Sequence, residues 1–185
     1  MEIINTDQNQ IKPCSIEDIE LIASYFSGCS EEFLRSFGAD KKKVPPKDKL
    51  IEILKSHLNA EGFVSTFAIA IHQGKKIGHC NVNNIIENES GIMHAQIWDE
   101  KYRGVGVSTA CLAKACEHFI DLFKFKKIIF KVPIINQPAN RIMQKLGLIS
   151  LGTSMYEFSM MIEPLVCNLY EVDHSKLVEL KKYIR

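Results

Sequence analysis

The sequence predicts a mixed α/β (α+β) fold, with a mostly antiparallel central sheet of about six to seven strands flanked by helices. Three observations predict it. The N-terminal third spaces its apolar residues for helices. From Phe63 the spacing turns strand-like, broken by turn signals. Between Ile92 and Val132 a strand, a glycine-bearing loop, a helix and a second strand follow in succession. That last order folds as a right-handed crossover between parallel neighbours, whereas the remaining strands read as antiparallel. A chain of 185 residues is long enough to bury a sizeable core, and 1–185 reads as a single domain.

Met1 to Pro13 reads as an edge strand. Ser15 then stands as an N-cap ahead of Asp18, and Ile19, Leu21, Ile22 and Phe26 follow, which predicts a helix over roughly 16–27 that ends near Gly28. Ser30-Glu31-Glu32 opens a second short helix stopping near Gly38. Residues 39–46 are linker-like, closed by Pro45-Pro46, and their Lys41-Lys42-Lys43 run reads as a solvated loop. A third helix from about Lys47 to Leu58 lines Leu50, Ile51, Leu54 and Leu58 on one face.

Val64 to His72, Ile77 to Ile86 and Ile92 to Trp98 read as three successive strands, joined by turns at Gln73-Gly74-Lys75-Lys76 and Glu87-Asn88-Glu89-Ser90-Gly91. The helix after the glycine loop gathers Leu112, Ala115, Cys116, Phe119, Leu122 and Phe123. Lys127 to Val132 is a buried strand, and 138–146 a helix with Pro138 in its first turn. Leu148 to Phe158 and Leu165 to Val172 form a last strand pair, followed by a terminal helix from Ser175 to Tyr183.

Composition narrows the function classes. Apolar residues at 46% and charged residues at 24% mark a globular chain. A net charge of +1 provides no global field for nucleic acid or an anionic membrane, and no apolar run is long enough to span one. The start Met1-Glu2-Ile3-Ile4-Asn5 lacks the pattern of a signal peptide, so the cytoplasm is the expected compartment. The cysteines at 14, 29, 80, 111, 116 and 167 show no paired spacing, which disfavours a zinc protein; Cys111 and Cys116 read as small buried hydrophobes.

Chemistry concentrates in two segments. Arg103-Gly104-Val105-Gly106-Val107-Ser108-Thr109 places two glycines where strand turns into helix. Glycine lets backbone N–H groups approach a ligand, and the helix adds its unpaired first-turn N–H groups and positive dipole end. Such a place binds phosphate without a lysine. About thirty residues on comes Asn136-Gln137-Pro138-Ala139-Asn140-Arg141-Ile142-Met143-Gln144-Lys145-Leu146-Gly147.

Together these segments resemble the acyl-CoA-binding core of the GNAT superfamily of N-acetyltransferases. The family loop Arg/Gln-x-x-Gly-x-Gly/Ala corresponds to Arg103 through Ser108, with serine in the last place. The downstream signature matches Asn136, Ala139, Ile142, Met143, Lys145, Leu146 and Gly147, with Leu148 where the family has Phe. The close resemblance spans roughly 91–152 and is nearest to the branch of ribosomal-protein N-terminal acetyltransferases.

The resemblance implies acetyl-CoA as cosubstrate, no metal, and an unidentified amine acceptor, on a protein that is a monomer or homodimer. It implies that the two parallel strands splay to admit the pantetheine arm. N–H groups of Arg103, Gly104, Val105, Gly106, Val107, Ser108 and Thr109 would cradle the pyrophosphate. Gln96, Ile97 and Trp98 would offer backbone groups to the pantetheine and an oxyanion hole. Asn136 would reach the pantetheine amides, with Asn140 and Lys145 flanking CoA. Arg103 and Lys145 read equally as surface cations, and Trp98 as a core residue. His94 is the candidate general base, because an imidazole suits neutral pH and its strand runs beside the expected thioester. His79, His72, Glu87 and Glu89 are the alternatives. Many family members carry a tyrosine acid where this chain has Met143; Tyr156 is the substitute, or water protonates the thiolate.

Two rivals to a transferase on this core are a nicotinamide-binding Rossmann site and a CoA-binding sensor without catalysis. The first lacks its third glycine, since position 109 is threonine, and its acidic residue, since the next strand ends Lys131-Val132-Pro133.

Overall fold

The structure, a computed structural model, describes residues 8–59, 65–157 and 160–184. Residues 1–7 of the expected edge strand, together with Phe63, Val64 and Phe158, lie outside that range. The helical spacing of the N-terminal third forms α1 (Ile16–Gly28), α2 (Glu31–Arg35) and α3 (Lys47–Asn59). The strands are β1 (Asn9–Pro13), β2 (Ser65–His72), β3 (Lys75–Ile86), β4 (Ser90–Ile97), β5 (Lys127–Pro133), β6 (Thr153–Tyr156) and β7 (Leu165–Asp173). Three more helices are α4 (Val107–Phe123), α5 (Gln137–Lys145) and α6 (His174–Leu180). The sheet order is β1-β2-β3-β4-β5-β7-β6. Pairs β1–β2, β2–β3, β3–β4 and β6–β7 are antiparallel, and β4–β5 is parallel.

Two compact units make up the chain. The first holds residues 61–129 with both chain ends. Its α4 packs on β1, β2 and β3, and its core includes Ala68, Val82, Met93, Ala113, Cys116 and Phe119. Cys111 and Cys116 are buried in it, and desolvation pushes both thiols up to about 12, so they act as apolar filler. Gly91 on β4 admits its neighbours closely: a Cβ there would overlap the Val82 side chain and lie 2.9 Å from Phe125 Cζ.

The second unit holds residues 15–60 and 130–170. Its α1 starts at a reciprocal cap, with the Asp18 carboxylate accepting from the Ser15 N–H at 2.9 Å and hydroxyl at 2.8 Å. Helix α2 stops at Arg35, earlier than its sequence pattern, because the chain reverses at Gly38 (φ +90°). The Leu165 side chain passes so close there that a Cβ would overlap it. Strand β6 also starts later than expected, since the Leu148 N–H is used to end α5, donating to the Met143 carbonyl at 3.0 Å.

The Lys41-Lys42-Lys43 run, expected as a solvated loop, is in part structural. Lys41 Nζ donates to the Ser27 and Cys29 carbonyls at 2.6 and 2.8 Å, and Lys43 Nζ to the Met161 carbonyl at 2.7 Å. A cation suits the carbonyls that a helix leaves unpaired at its C-terminus, where α1 ends. Lys41→Ala is therefore expected to lower unfolding stability by about 1.5–3 kcal/mol, the range for hydrogen bonds to a charged group. Lys42→Ala at an exposed position is expected to stay within about 0.5 kcal/mol. Urea titration of the two variants checks the contrast.

Candidate functional site

The loop after β4 is built by local bonds. Asp99 accepts from the Lys101 N–H at 3.0 Å and caps a single 3₁₀ turn over Glu100–Tyr102. The Arg103 N–H closes that turn on the Glu100 carbonyl at 2.9 Å. Its guanidinium reaches back, with Nε and Nη2 donating to the Ile97 carbonyl at 3.1 and 2.9 Å. Arg103, expected to lend its N–H to a phosphate, has that N–H occupied and instead pins the loop to the strand. Gly104 and Gly106 follow at φ +78° and +89°, a region glycine enters without strain. A Cβ on Gly104 would meet nothing within 4 Å, so the loop surface there is open. The first intrahelical bond of α4 runs from the Ala110 N–H to the Gly106 carbonyl at 3.1 Å. The N–H groups of Val107, Ser108 and Thr109 thus precede the ladder, at the positive end of the dipole. Ser108 turns its hydroxyl to the Tyr102 carbonyl, 3.4 Å away.

Along β4 the alternation of the strand sorts the expected backbone contacts. The Trp98 N–H donates to the Ile77 carbonyl at 2.8 Å. Backbone groups of Trp98 and Gln96 therefore face β3, and those of Ile97 and Ala95 turn to the opposite edge. Of the three residues expected to serve the pantetheine, only Ile97 has its backbone on that edge; Ala95, which sequence reasoning missed, joins it. No signal in the sequence finds it, because the answer depends on the register between β3 and β4. The parallel ladder with β5 pairs Ser90, Gly91 and Ile92 with Lys127, Ile128 and Ile129. Past those pairs β4 runs on to Ile97 and β5 to Pro133.

His79, on β3, is buried, and its Nδ1 accepts from Trp98 Nε1 at 2.8 Å. Indole only donates, so Nδ1 carries no proton and the neutral ring is the Nε2–H tautomer. Phe67 and Trp98 flank the ring at 6.3 and 5.9 Å between centroids. His94, on β4, lies with Nε2 at 3.4 Å from Asn83 Nδ2. Burial lowers His94 to about 4 and, joined by repulsion from His94, lowers His79 to about 3. Both imidazoles are neutral at pH 7. His72 is held by Asn9 Oδ1 at 2.8 Å, and Glu89 pairs with Lys126, so both are engaged in structure.

The downstream segment sits in the second unit. Asn136 is the N-cap of α5, its Oδ1 accepting from the Ala139 N–H at 3.2 Å. Asn140 is buried with its amide fully used: Nδ2 donates to the Pro133 and Asn136 carbonyls, both at 2.9 Å, and Oδ1 accepts from Asn168 Nδ2 at 2.8 Å and Tyr170 Oη at 2.9 Å. Asn140, expected to flank CoA, has no hydrogen-bonding position left for a ligand here; it holds α5 against β7. Lys145 is exposed at the last turn of α5, Met143 is buried, and Tyr156 carries Lys131 Nζ at 5.3 Å from its ring centroid.

The acetyltransferase (GNAT) domain family matches residues 10–149. The chain belongs to the GNAT acetyltransferase family. A comparison with curated sequences gives no significant match. Among solved structures the chain resembles RimL, a ribosomal-protein alpha-N-acetyltransferase in complex with coenzyme A (14% identity, 93% of this chain and 98% of that one, TM-score 0.73). It also resembles RimJ of Mycobacterium smegmatis in complex with CoA-disulfide (14% identity, 94% and 88%, TM-score 0.74). A third likeness is to spermidine N-acetyltransferase of Vibrio cholerae in complex with CoA and spermine (16% identity, 93% and 99%, TM-score 0.72). At these identities the likeness is one of fold.

The strand–loop–helix of β4, the glycine-bearing loop and α4 is formed. Among the described residues no group of three or more His, Cys, Asp or Glu side chains is placed to hold a metal, and no helix is long and apolar enough to cross a membrane.

The two lowered histidines set a pH dependence. Their folded pKa values lie below the ordinary 6.5, so the unfolded chain binds protons first as pH falls. Their contribution to stability is complete above pH 6.5 and is withdrawn between there and their folded values of about 4 and 3. Unfolding free energy is expected to drop by about 1.4 kcal/mol per pH unit for each histidine in that window. Denaturant titrations at successive pH values, on wild type and His79→Gln, measure it; an equal slope in both would refute the assignment to His79.

Proposed function

We propose that this GNAT chain, read as a single domain over 1–185, is an N-acyltransferase that moves an acetyl group from acetyl-CoA to a primary amine by direct attack. One observation carries the reading: two glycines at positive φ open onto the first turn of α4, with no acidic side chain there to repel an anion. N–H groups from Gly104 to Thr109 supply the pyrophosphate cradle, each charge-assisted bond contributing about 1.5–3 kcal/mol. Acetyl-CoA, when bound, supplies the activated acyl carbon and a thiolate leaving group. The backbone of Ile97 and Ala95 holds the thioester arm and polarises its carbonyl. Asn136 and Lys145 keep their assignment to the cofactor, and Asn140 is reassigned to positioning α5.

The amine nitrogen bonds to the acyl carbon, the carbon–sulfur bond breaks, and the amine proton must leave. His94 is neutral at pH 7 and offers a ring lone pair for that proton. Its lowered basicity makes it effective only while the proton is already being lost, which favours an amine that arrives deprotonated. Met143 supplies no acid, so the thiolate takes its proton from Tyr156 or from water. Ribosomal-protein amines and spermine, the acceptors named for the structural neighbours, are the first to try, in a cytoplasmic setting.

Acetyl-CoA at a hundredfold excess over its Kd is expected to stabilise the protein by about 2.7 kcal/mol, and NAD(H) to leave its Tm unchanged. The reverse pattern would sink the assignment. With an amine panel, turnover supports the transferase, and binding without any turnover supports the sensor. His94→Ala is expected to lower kcat by roughly 10²–10⁴-fold with CoA affinity preserved. A fall in Tm at near-normal kcat would make His94 structural.

A further inference from the structure

On the face of the first unit that carries His94, the carboxamide oxygen of Asn83 is buried and has no hydrogen-bond partner. Register puts it there. Strands β3 and β4 pair Asn81 with His94 and Asn83 with Ile92, so these four residues share one face of the sheet. The pairing then slips: Asn83 opposes Ile92 but Ile86 opposes Ser90, which leaves one extra residue on β3. Asn84 takes up the slip at φ +48°, a left-handed conformation uncommon outside glycine. A bulge of this kind re-aims the side chain beside it, and Asn83 Nδ2 stands 3.4 Å from His94 Nε2.

An amide nitrogen only donates, so Nε2 is the acceptor and turns its lone pair towards Asn83. A proton lost by the amine has to arrive at that lone pair, which brings the amine nitrogen within reach of the same carboxamide. Both residues are half-buried rather than sealed in. The last torsion of asparagine is broad and roughly two-fold, so the carboxamide can turn over on a fixed backbone. Turned over, Oδ1 stands where Nδ2 stands now, 3.4 Å from Nε2. Two acceptors at that spacing suit two N–H bonds on one nitrogen, one facing the lone pair and the other the oxygen. A purely structural role does not account for Oδ1, since a buried acceptor left without a donor weakens a fold. Neither β3 nor β4 carries a carboxylate, so nothing on these strands holds an amine by charge.

We infer that Asn83 positions the acceptor amine and selects a primary over a secondary one, its Oδ1 taking the N–H that His94 does not take. The inference rests on the transferase reading above. Its test supplies acetyl-CoA with spermine, an alanyl peptide with a free α-amine, or N-acetyl-lysine amide, each beside its form methylated at the reacting nitrogen. Wild type is expected to favour the primary amine by about tenfold or more in kcat/KM. Asn83→Leu, of similar size but without polar atoms, is expected to lose most of that preference, through a fall of about tenfold or more on the primary amine alone. Its Tm is expected not to fall and its CoA affinity not to change, because the variant removes an acceptor that the fold leaves unpaired. Asn83→Asp keeps the oxygen and is expected to keep the preference. An unchanged preference in Asn83→Leu would overturn the inference, because a methyl that merely collides with the wall is refused equally by both proteins. So would no preference in wild type, a preference lost in Asn83→Asp, or a fall in Tm in Asn83→Leu, which would make Asn83 part of the fold. Wild type that binds acetyl-CoA and turns over no amine would overturn the transferase reading and this inference with it, whereas turnover with any of the other results overturns this inference alone.

Discussion

The bonds from the Arg103 guanidinium to the Ile97 carbonyl fix where β4 ends and where everything after it begins. A strand running out of partners leaves carbonyls that water or a side chain must satisfy. Here one planar cation takes the last of them with two nitrogens, at 3.1 and 2.9 Å, and its side chain is two-thirds covered. Lysine could place one charge there but not the two-pronged geometry that sets the direction of the loop. The consequence reaches in both directions along the chain. Upstream, it keeps the Ile97 carbonyl engaged and leaves the edge of β4 to the Ile97 N–H and to Ala95. Downstream, it starts Gly104 and Gly106 from a fixed point, so that the first turn of α4 opens at a defined place. A phosphate cradle made of backbone N–H groups depends on such placement, because it has no long side chain to adapt.

The histidines show why residue type alone does not locate a base. His94, His79 and His72 lie on neighbouring strands, and each has a chemically reasonable claim. Geometry separates them. His79 has its Nδ1 committed to the indole of Trp98, His72 is tied to Asn9, and His94 places Nε2 at 3.4 Å from the amide of Asn83. Burial lowers the basicity of His94 and His79, which suits groups that must stay uncharged inside a sheet face. In the proposed transfer the same burial limits how strongly His94 can draw a proton, which leaves the acceptor's own ionisation as the controlling variable.

Element type and order were legible in the sequence because each helix and strand carries a complete local signal. Ser15 and Asp18 form the cap that their spacing announced, and Gly106 takes the left-handed position that ends a strand and starts a helix. Hydrophobic period distinguished β2, β3 and β4 from the helices before them. What was not legible depends on pairing across distance. The bulge at Ile77, where Ala70 pairs with Gly78 but Ile71 with Lys76, exists only as a relation between β2 and β3, and no residue within Lys75-Lys76-Ile77 encodes it. Which of Gln96, Ile97 and Trp98 turns its backbone outward depends on register with β3, and a one-residue shift would reverse the answer. Two of the four bonds around Asn140, to Asn168 and Tyr170, join residues far apart in sequence, so its motif position suggested a ligand contact where the fold uses it as a brace.

Lysines carry the same lesson into charge. Lys41, Lys43 and Lys101 are all surface-type residues by composition, yet they do different work. Lys41 and Lys43 direct their ammonium groups to backbone carbonyls, giving donors to groups that would otherwise lack them. Lys101 pairs instead with Asp99 at 2.8 Å and lies 4.9 Å from the Tyr102 ring centroid, so its charge is met within its own turn. An exposed ion pair of that kind contributes little, whereas removing an ammonium that completes backbone carbonyls leaves those carbonyls short of a donor.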